Sequence, residues 1–169
     1  VRHDAIREHI YKIIETMRKP KICLTCSAGG HFEQLRLAMK SIPSSEYDIY
    51  WVTYPNKHLS KFLESVKYYT IHNATLKKWT WFVNSVESLW ILLKERPDVI
   101  ISSGAGVSFP TIYFGKKLFH CKVIFLCSAA NVTKPSRVPY RAYPLSDLFL
   151  VQWPELQKIF PNSKYIGVL

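Results

Sequence analysis

Residues 21–42 read KICLTCSAGGHFEQLRLAMKSI. An apolar run from Ile22 to Cys26 breaks into Ser27-Ala28-Gly29-Gly30-His31, and a helical spacing follows through Leu35, Leu37, Ala38 and Met39. A strand that passes through two glycines into a helix opens a βαβ unit. Working outward, the pattern repeats. YDIYWVTY (47–54), KYYTIH (67–72), DVIISSG (98–104), KVIFLCS (122–128) and DLFLVQW (147–153) read as further strands, and KYIGVL (164–169) as the last. Helical patterns fall between them at 31–42, 57–65, 79–95, 107–119 and 154–160. Short apolar strands alternating with helices predict an α/β domain over 21–169, a Rossmann-like parallel sheet with helices on both faces. Right-handed crossovers then gather every strand-to-helix loop at one edge of the sheet.

Residues 4–18, DAIREHIYKIIETMR, precede that domain in a segment spanning 1–20. Ile6, Ile10, Ile13, Ile14 and Met17 recur at helical spacing, with Asp4 as an N-cap and Pro20 as the stop. Arg7 and Lys12 make the helix basic. Its stripe either lies on an anionic bilayer or packs on the domain. It is shorter than the ~20 apolar residues of a span and carries too much charge, so any membrane association is monotopic. No other apolar run approaches that length, and no signal peptide is expected.

The 169 residues carry 23 Lys and Arg against 12 Asp and Glu, a formal charge of +11. Such an excess points to an anionic partner: a phosphorylated ligand, an acidic membrane surface or nucleic acid. Nucleic-acid readers of single strands expose aromatics on a bare sheet face, and this sheet is expected to be covered on both faces. Cys23 and Cys26 have C-x-x-C spacing, but within a strand residues three apart point to opposite faces, so core thiols are expected. No metal-ligand spacing is present among the histidines and carboxylates.

Three loops meet at the predicted ligand edge. Ser27, Gly29 and Gly30 form the first, and Gly104, Ala105 and Gly106 the second. Asn131, Lys134 and Arg137 lie in the third, within the proline-interrupted stretch NVTKPSRVPYRAYP (131–144). Glycines that expose first-turn amides suit phosphate, and the basic loop suits a clamp on pyrophosphate. Neither glycine loop is G-x-G-x-x-G or a P-loop, which argues against a dehydrogenase or an NTPase. His31 stands at a helix start, where the dipole keeps an imidazole neutral. It serves there either as a base toward a hydroxyl or as a structural hydrogen-bonding group. Lys77 and Lys78 beside Trp79, Trp81 and Phe82 form a membrane-interface pattern, whereas Trp90, Ile91 and Leu93 are expected in the core.

SAGGHFEQL (27–35), PDVIISSGAGVSFP (97–110), the block from Ser128 to Pro161 and the ending YIGVL (165–169) resemble the PssD/CpsF-type oligosaccharide-biosynthesis family. Its members are bacterial relatives of the membrane-anchor subunit of the eukaryotic dolichol-linked N-acetylglucosaminyltransferase. The resemblance implies the N-terminal half of a GT-B glycosyltransferase, working at the cytoplasmic face of the plasma membrane in surface-polysaccharide synthesis. It implies a small, PssE-like donor-binding partner that holds the UDP-sugar, a lipid-pyrophosphate-linked sugar acceptor, and no cofactor or metal. Gly29, Gly30 and His31 match the acceptor loop of the related lipid II enzymes. Gly104–Gly106 match their second glycine loop. Glu155 matches a WPE motif with a catalytic, interface or structural role. The alternatives are a self-sufficient homo-oligomeric transferase and, in another class, a basic nucleic-acid-binding module.

Overall fold

In a computed structural model, which describes residues 2–15, 17, 19–40, 42–43, 46–56, 59–73 and 78–169, seven strands form one sheet in the order β3-β2-β1-β4-β5-β6-β7. They are β1 (Lys21–Cys26), β2 (Asp48–Thr53), β3 (Tyr68–Thr70), β4 (Val99–Gly104), β5 (Lys122–Leu126), β6 (Leu148–Val151) and β7 (Lys164–Tyr165). Every pairing is parallel. The helices are α1 (Arg2–Ile14), α2 (Gly30–Met39), α3 (Ser60–Leu63), α4 (Lys78–Glu95), α5 (Phe109–Lys117) and α6 (Arg137–Ala142).

Alternation along each strand divides the core in two. Ile22, Leu24, Cys26, Trp51 and Ile101 face α1 and α2, where they meet Ile10, Ile14, Phe32 and Leu35. Cys23, Tyr50, Ile100, Val123 and Phe125 face the other way, toward Ile91, Leu92, Ile112 and Ala142. Cys23 and Cys26 thus belong to opposite cores, as their spacing requires, and burial pushes the Cys23 thiol up to about 12. All four cysteines are buried and unpaired.

Several boundaries differ from the sequence reading. The first helix runs to Ile14 with Asp4 inside it, so Asp4 is not the cap. Its stripe packs on the domain through Ile10 and Ile14, which favours the packing alternative. The segment after β5 is not a plain loop: it holds α6 and a 3-10 turn at Tyr143–Leu145. Pro139 is tolerated because it sits in the first turn of α6, where an amide has no helical acceptor. Pro154–Lys158 is 3-10 rather than α, and the last strand stops at Tyr165. Lys57 and His58, at the start of the third expected helix, lie outside the described residues.

The largest departure concerns α4. Asn84, Ser88, Ile91, Leu92 and Glu95 are its buried side, while Trp79, Phe82, Val86, Trp90 and Leu93 are exposed. Trp90 and Leu93 were expected in the core and are outside it. The reason is a polar spine. Thr111 Oγ1 donates to Ser88 Oγ (3.0 Å), Ser88 donates to Asn84 Oδ1 (3.3 Å), and Asn84 Nδ2 donates to the carbonyls of His72 (2.6 Å) and Val107 (3.2 Å). Buried polar groups with all these partners hold the helix rotation that puts its apolar residues outside.

At the amino edge of the sheet, Glu95 is the hub of a charged cluster. Its carboxylate accepts from Lys67 (2.8 Å), Lys21 (3.1 Å) and the Tyr69 hydroxyl, and Lys21 also pairs with Asp48 at 3.3 Å. Burial alone would raise the Glu95 pKa, but these hydrogen bonds outweigh it and lower it from 4.5 to about 2. The folded-state pKa is depressed, so this stabilisation is full above pH 4.5 and is lost as the pH falls toward about 2. At ~1.4 kcal/mol per unit, the cluster contributes about 3 kcal/mol at neutral pH. Glu95→Gln is expected to lower the urea midpoint by the equivalent of about 2–3 kcal/mol. A shift below about 0.5 kcal/mol would mean that the two lysines are satisfied by water instead.

Candidate functional site

The order β3-β2-β1-β4 reverses direction between β1 and β4, so the loops leaving those two strands diverge at the carboxyl edge, the place where open α/β sheets take their ligands. Both predicted glycine turns are there. Gly29 has φ +97° and precedes the first turn of α2, which no side chain caps. A Cβ built at Gly29 or Gly30 meets nothing within 4 Å, so the turn faces open space. Uncapped first-turn amides and the helix dipole leave a partial positive charge open to solvent here.

The second turn is pinned from below. The β1–β4 register slips after Thr25, so that Cys26 pairs with Gly104 and Ser103 is the bulged residue. Bulges re-aim side chains near sites. Here Ser103 Oγ donates to the His31 carbonyl at 2.6 Å, and His31 Nδ1 lies 2.8 Å from the Ser103 carbonyl. These reciprocal bonds clasp the two glycine turns together. Ser108 Oγ holds the carbonyls of Gly104 (2.9 Å) and Ala105 (2.8 Å). Gly104 is favoured by its backbone, with φ +101°, and a Cβ would also stand tightly, 3.2 Å, against the Phe125 ring.

A carbonyl only accepts, so His31 Nδ1 carries its proton and Nε2 is the free acceptor. Burial lowers the His31 pKa below 6.5, with the Ser103 bond pulling the other way. The ring is neutral, as the sequence reading held, but burial rather than the helix dipole is the main cause. Ser27 is half-buried beside this turn.

The third loop contributes unequally. Asn131 Oδ1 accepts from the Ser136 amide (3.0 Å) and its Nδ2 points to Cys127 Sγ (3.7 Å), so its amide staples the loop itself. Lys134 and Arg137 are exposed, and neither has an ion-pair partner among the described residues. Glu155 is exposed at the start of the 3-10 turn after β6. Its neighbour Trp153 donates from Nε1 to the Ala129 carbonyl at 2.7 Å, which ties the WPE block to the third loop. Sequence reasoning missed Ser103 and Trp153 as positioning residues. The Ser-Ser-Gly run before the second turn was the available signal for Ser103.

Of the residues expected at a membrane surface, Trp79 (64% exposed) and Trp81 lie on the outer side of α4 beside Phe82 (70%). Lys12 is exposed on α1 and paired with Glu8 at 2.8 Å. Lys77 and the side chains of Arg7 and Lys78 lie outside the described residues. Among the described residues, no helix is long and apolar enough to cross a membrane. A cleft of about 550 Å³ lined by Leu24, Arg36, Trp51 and Phe62 reaches the start of β2 and includes none of the glycine-turn residues.

The family model for "Oligosaccharide biosynthesis protein Alg14 like" matches residues 56–169, about two thirds of the chain. The chain belongs to this Alg14-like family. The matched span includes the second and third loops and α4, and the first glycine turn lies ahead of it. Relatives named UDP-N-acetylglucosamine transferase subunit ALG14 align from Candida albicans, 37% identical over 46% of this chain and 38% of that protein, and from Homo sapiens, 26% identical over 49% and 43%. The alignment with the Debaryomyces hansenii protein is longer, 94% of this chain and 80% of that one at 22% identity. The Alg14-like chain thus spans well under half the length of the first fungal relatives it matches. Among solved structures it superposes on Acinetobacter baumannii MurG with a TM-score of 0.70 at 13% identity, over 89% of this chain and 46% of that one. A UDP-N-acetylglucosamine 2-epimerase from Rickettsia bellii gives a TM-score of 0.70 at 12% identity, over 89% and 45%. The expected architecture, a Rossmann-like unit equivalent to half of a GT-B enzyme, is borne out.

Proposed function

We propose that this chain is the acceptor-binding, membrane-docked subunit of a two-component inverting glycosyltransferase. The observation that carries the reading is the His31–Ser103 clasp, which joins two glycine turns at the switch point of a half-enzyme fold. The donor UDP-sugar is held mainly by a small partner chain of the PssE type. The acceptor is a lipid-pyrophosphate-linked sugar, and the product feeds surface polysaccharide. No further cofactor is called for. The subunit works peripherally at the cytoplasmic face of the membrane, with the outer side of α4 as its contact.

In this reading the α2 amides at Gly30 and His31 and the second turn at Gly104–Gly106 receive the acceptor pyrophosphate, with Lys134 and Arg137 closing over it. An acceptor hydroxyl then attacks the anomeric carbon of the donor. The new C–O bond forms as the bond from that carbon to the UDP oxygen breaks, and UDP leaves with the electron pair. His31 Nε2 takes the hydroxyl proton. Most of the acceleration comes from holding the two substrates in line. Glu155 serves at the partner interface, in catalysis or in holding the WPE turn.

The test is transfer from a panel of labelled UDP-sugars to a polyprenyl-pyrophosphate sugar, using the chain alone and then with its small partner. Product only with both chains is the expected result. Product with this chain alone would overturn the division of labour.

A further inference from the structure

A second histidine stands at the same edge of the sheet, outside the clasp. Beyond β3 the chain passes through buried Ile71 to His72. Glu87, from α4, holds this residue twice: Oε2 accepts from the His72 backbone amide at 2.7 Å, and Oε1 lies 2.6 Å from the ring Nδ1. A carboxylate that grips both backbone and ring fixes the ring's direction and places the Nδ1 proton, which leaves Nε2 as the outward-facing end. The ring stays open to solvent, 58% exposed, while Glu87 is 29% exposed. The pair lines a cleft of about 400 Å³ together with Tyr54, Pro55, Thr70 and Ile71, at the carboxyl ends of β2 and β3. Asn84 ties this cleft to the second glycine turn, since its Nδ2 donates to both the His72 and Val107 carbonyls.

We propose that this cleft is the subsite for the sugar ring of the acceptor: His72 Nε2 hydrogen-bonds a sugar hydroxyl and Glu87 is the positioning residue. The inference rests on the acceptor-subunit reading and names where the sugar goes once the glycine turns hold the pyrophosphate. Charge separates the two places. At the glycine turns, amides and free basic side chains attract phosphate. In the cleft, the Glu87 carboxylate cancels any charge on the imidazole and repels a phosphate, while neutral hydroxyls lose nothing. The composition also fits a sugar. The lining combines an aromatic residue, Tyr54, with the polar His72, Glu87 and Thr70, the mixture that the C–H side and the hydroxyls of a pyranose require. The volume lies within the range of small-ligand sites.

The test has two parts. Imidazole ¹H–¹⁵N spectra of the full chain are recorded with free N-acetylglucosamine and, separately, with inorganic pyrophosphate. His72 is expected to shift with the sugar and not with pyrophosphate. His72 signals that ignore the sugar, or that follow pyrophosphate, would overturn the assignment. In the reconstituted pair, His72→Ala, Glu87→Gln and Tyr54→Leu are each expected to raise KM for the lipid-linked acceptor about tenfold, the loss of roughly one hydrogen bond or ring contact, with donor KM and kcat nearly unchanged. Tyr54→Leu leaves the His72–Glu87 pair intact, so it guards against a folding artefact. Unchanged acceptor KM, or a fall confined to kcat, would overturn the subsite. The spectra need neither partner nor turnover, so failure of the two-chain reading leaves their outcome legible.

Discussion

In the reconstituted pair, His31→Ala lowers turnover by about 10²- to 10⁴-fold and leaves the two chains associated. The ring is fixed at Nδ1 by the Ser103 carbonyl, so Nε2 is the only nitrogen it can present to a hydroxyl. Alanine removes that acceptor while sparing the Ser103 hydroxyl bond, which goes to the His31 backbone carbonyl. The glycine turns therefore stay clasped and acceptor KM changes little. The pH profile gives an independent reading. Burial holds the His31 pKa below 6.5, so the acid limb of the wild-type rate lies on the acid side of that value and disappears in the variant. The sign for stability is the same: a neutral buried imidazole stabilises fully above pH 6.5 and progressively less as the pH falls through it. Turnover equal to wild type, or an acid limb that persists in the variant, would take His31 out of proton transfer.

The second large effect concerns the membrane. Trp79→Ser, Phe82→Ser and Trp90→Ser combined are expected to reduce binding to anionic vesicles by about 10²-fold or more in sedimentation. Burying one such side chain is worth roughly 2 kcal/mol, and part of three insertions already exceeds a hundredfold change in partitioning. All three are exposed, and the fold loses the edge-on packing of Trp90 against Tyr69. The basic surface gives a further long-range attraction, so residual binding is expected to weaken with salt. Undiminished binding at physiological salt would move the contact to another face. Ile10 and Ile14 of the α1 stripe are buried in the core and are not free for that role.

The layout of the sheet was legible because each strand is a short apolar run bounded by a loop, and because both faces are covered. Strand–glycine–helix handovers likewise put the two turns at one edge. The clasp was not legible, since it depends on a register slip that brings Ser103 against His31 across 72 positions of sequence. The side of α4 that faces the core was misjudged for a related reason. Apolar periodicity assigns the greasy side inward, but Asn84, Ser88 and Glu95 each find partners inside, and satisfied polar groups outweigh the pattern. His72 and Glu87 gave no local signal because they come together only when α4 docks beside the exit of β3.

The polar spine of α4 lets one helix carry two independent sets of instructions. Its inner side is written in hydrogen bonds, which tolerate little editing. Its outer side is held more loosely, so Trp79, Phe82, Val86, Trp90 and Leu93 can change one at a time while the inner bonds keep the helix in place. A protein engineer inherits the same freedom: a hydrophilic rewrite of the outer side leaves both glycine turns untouched.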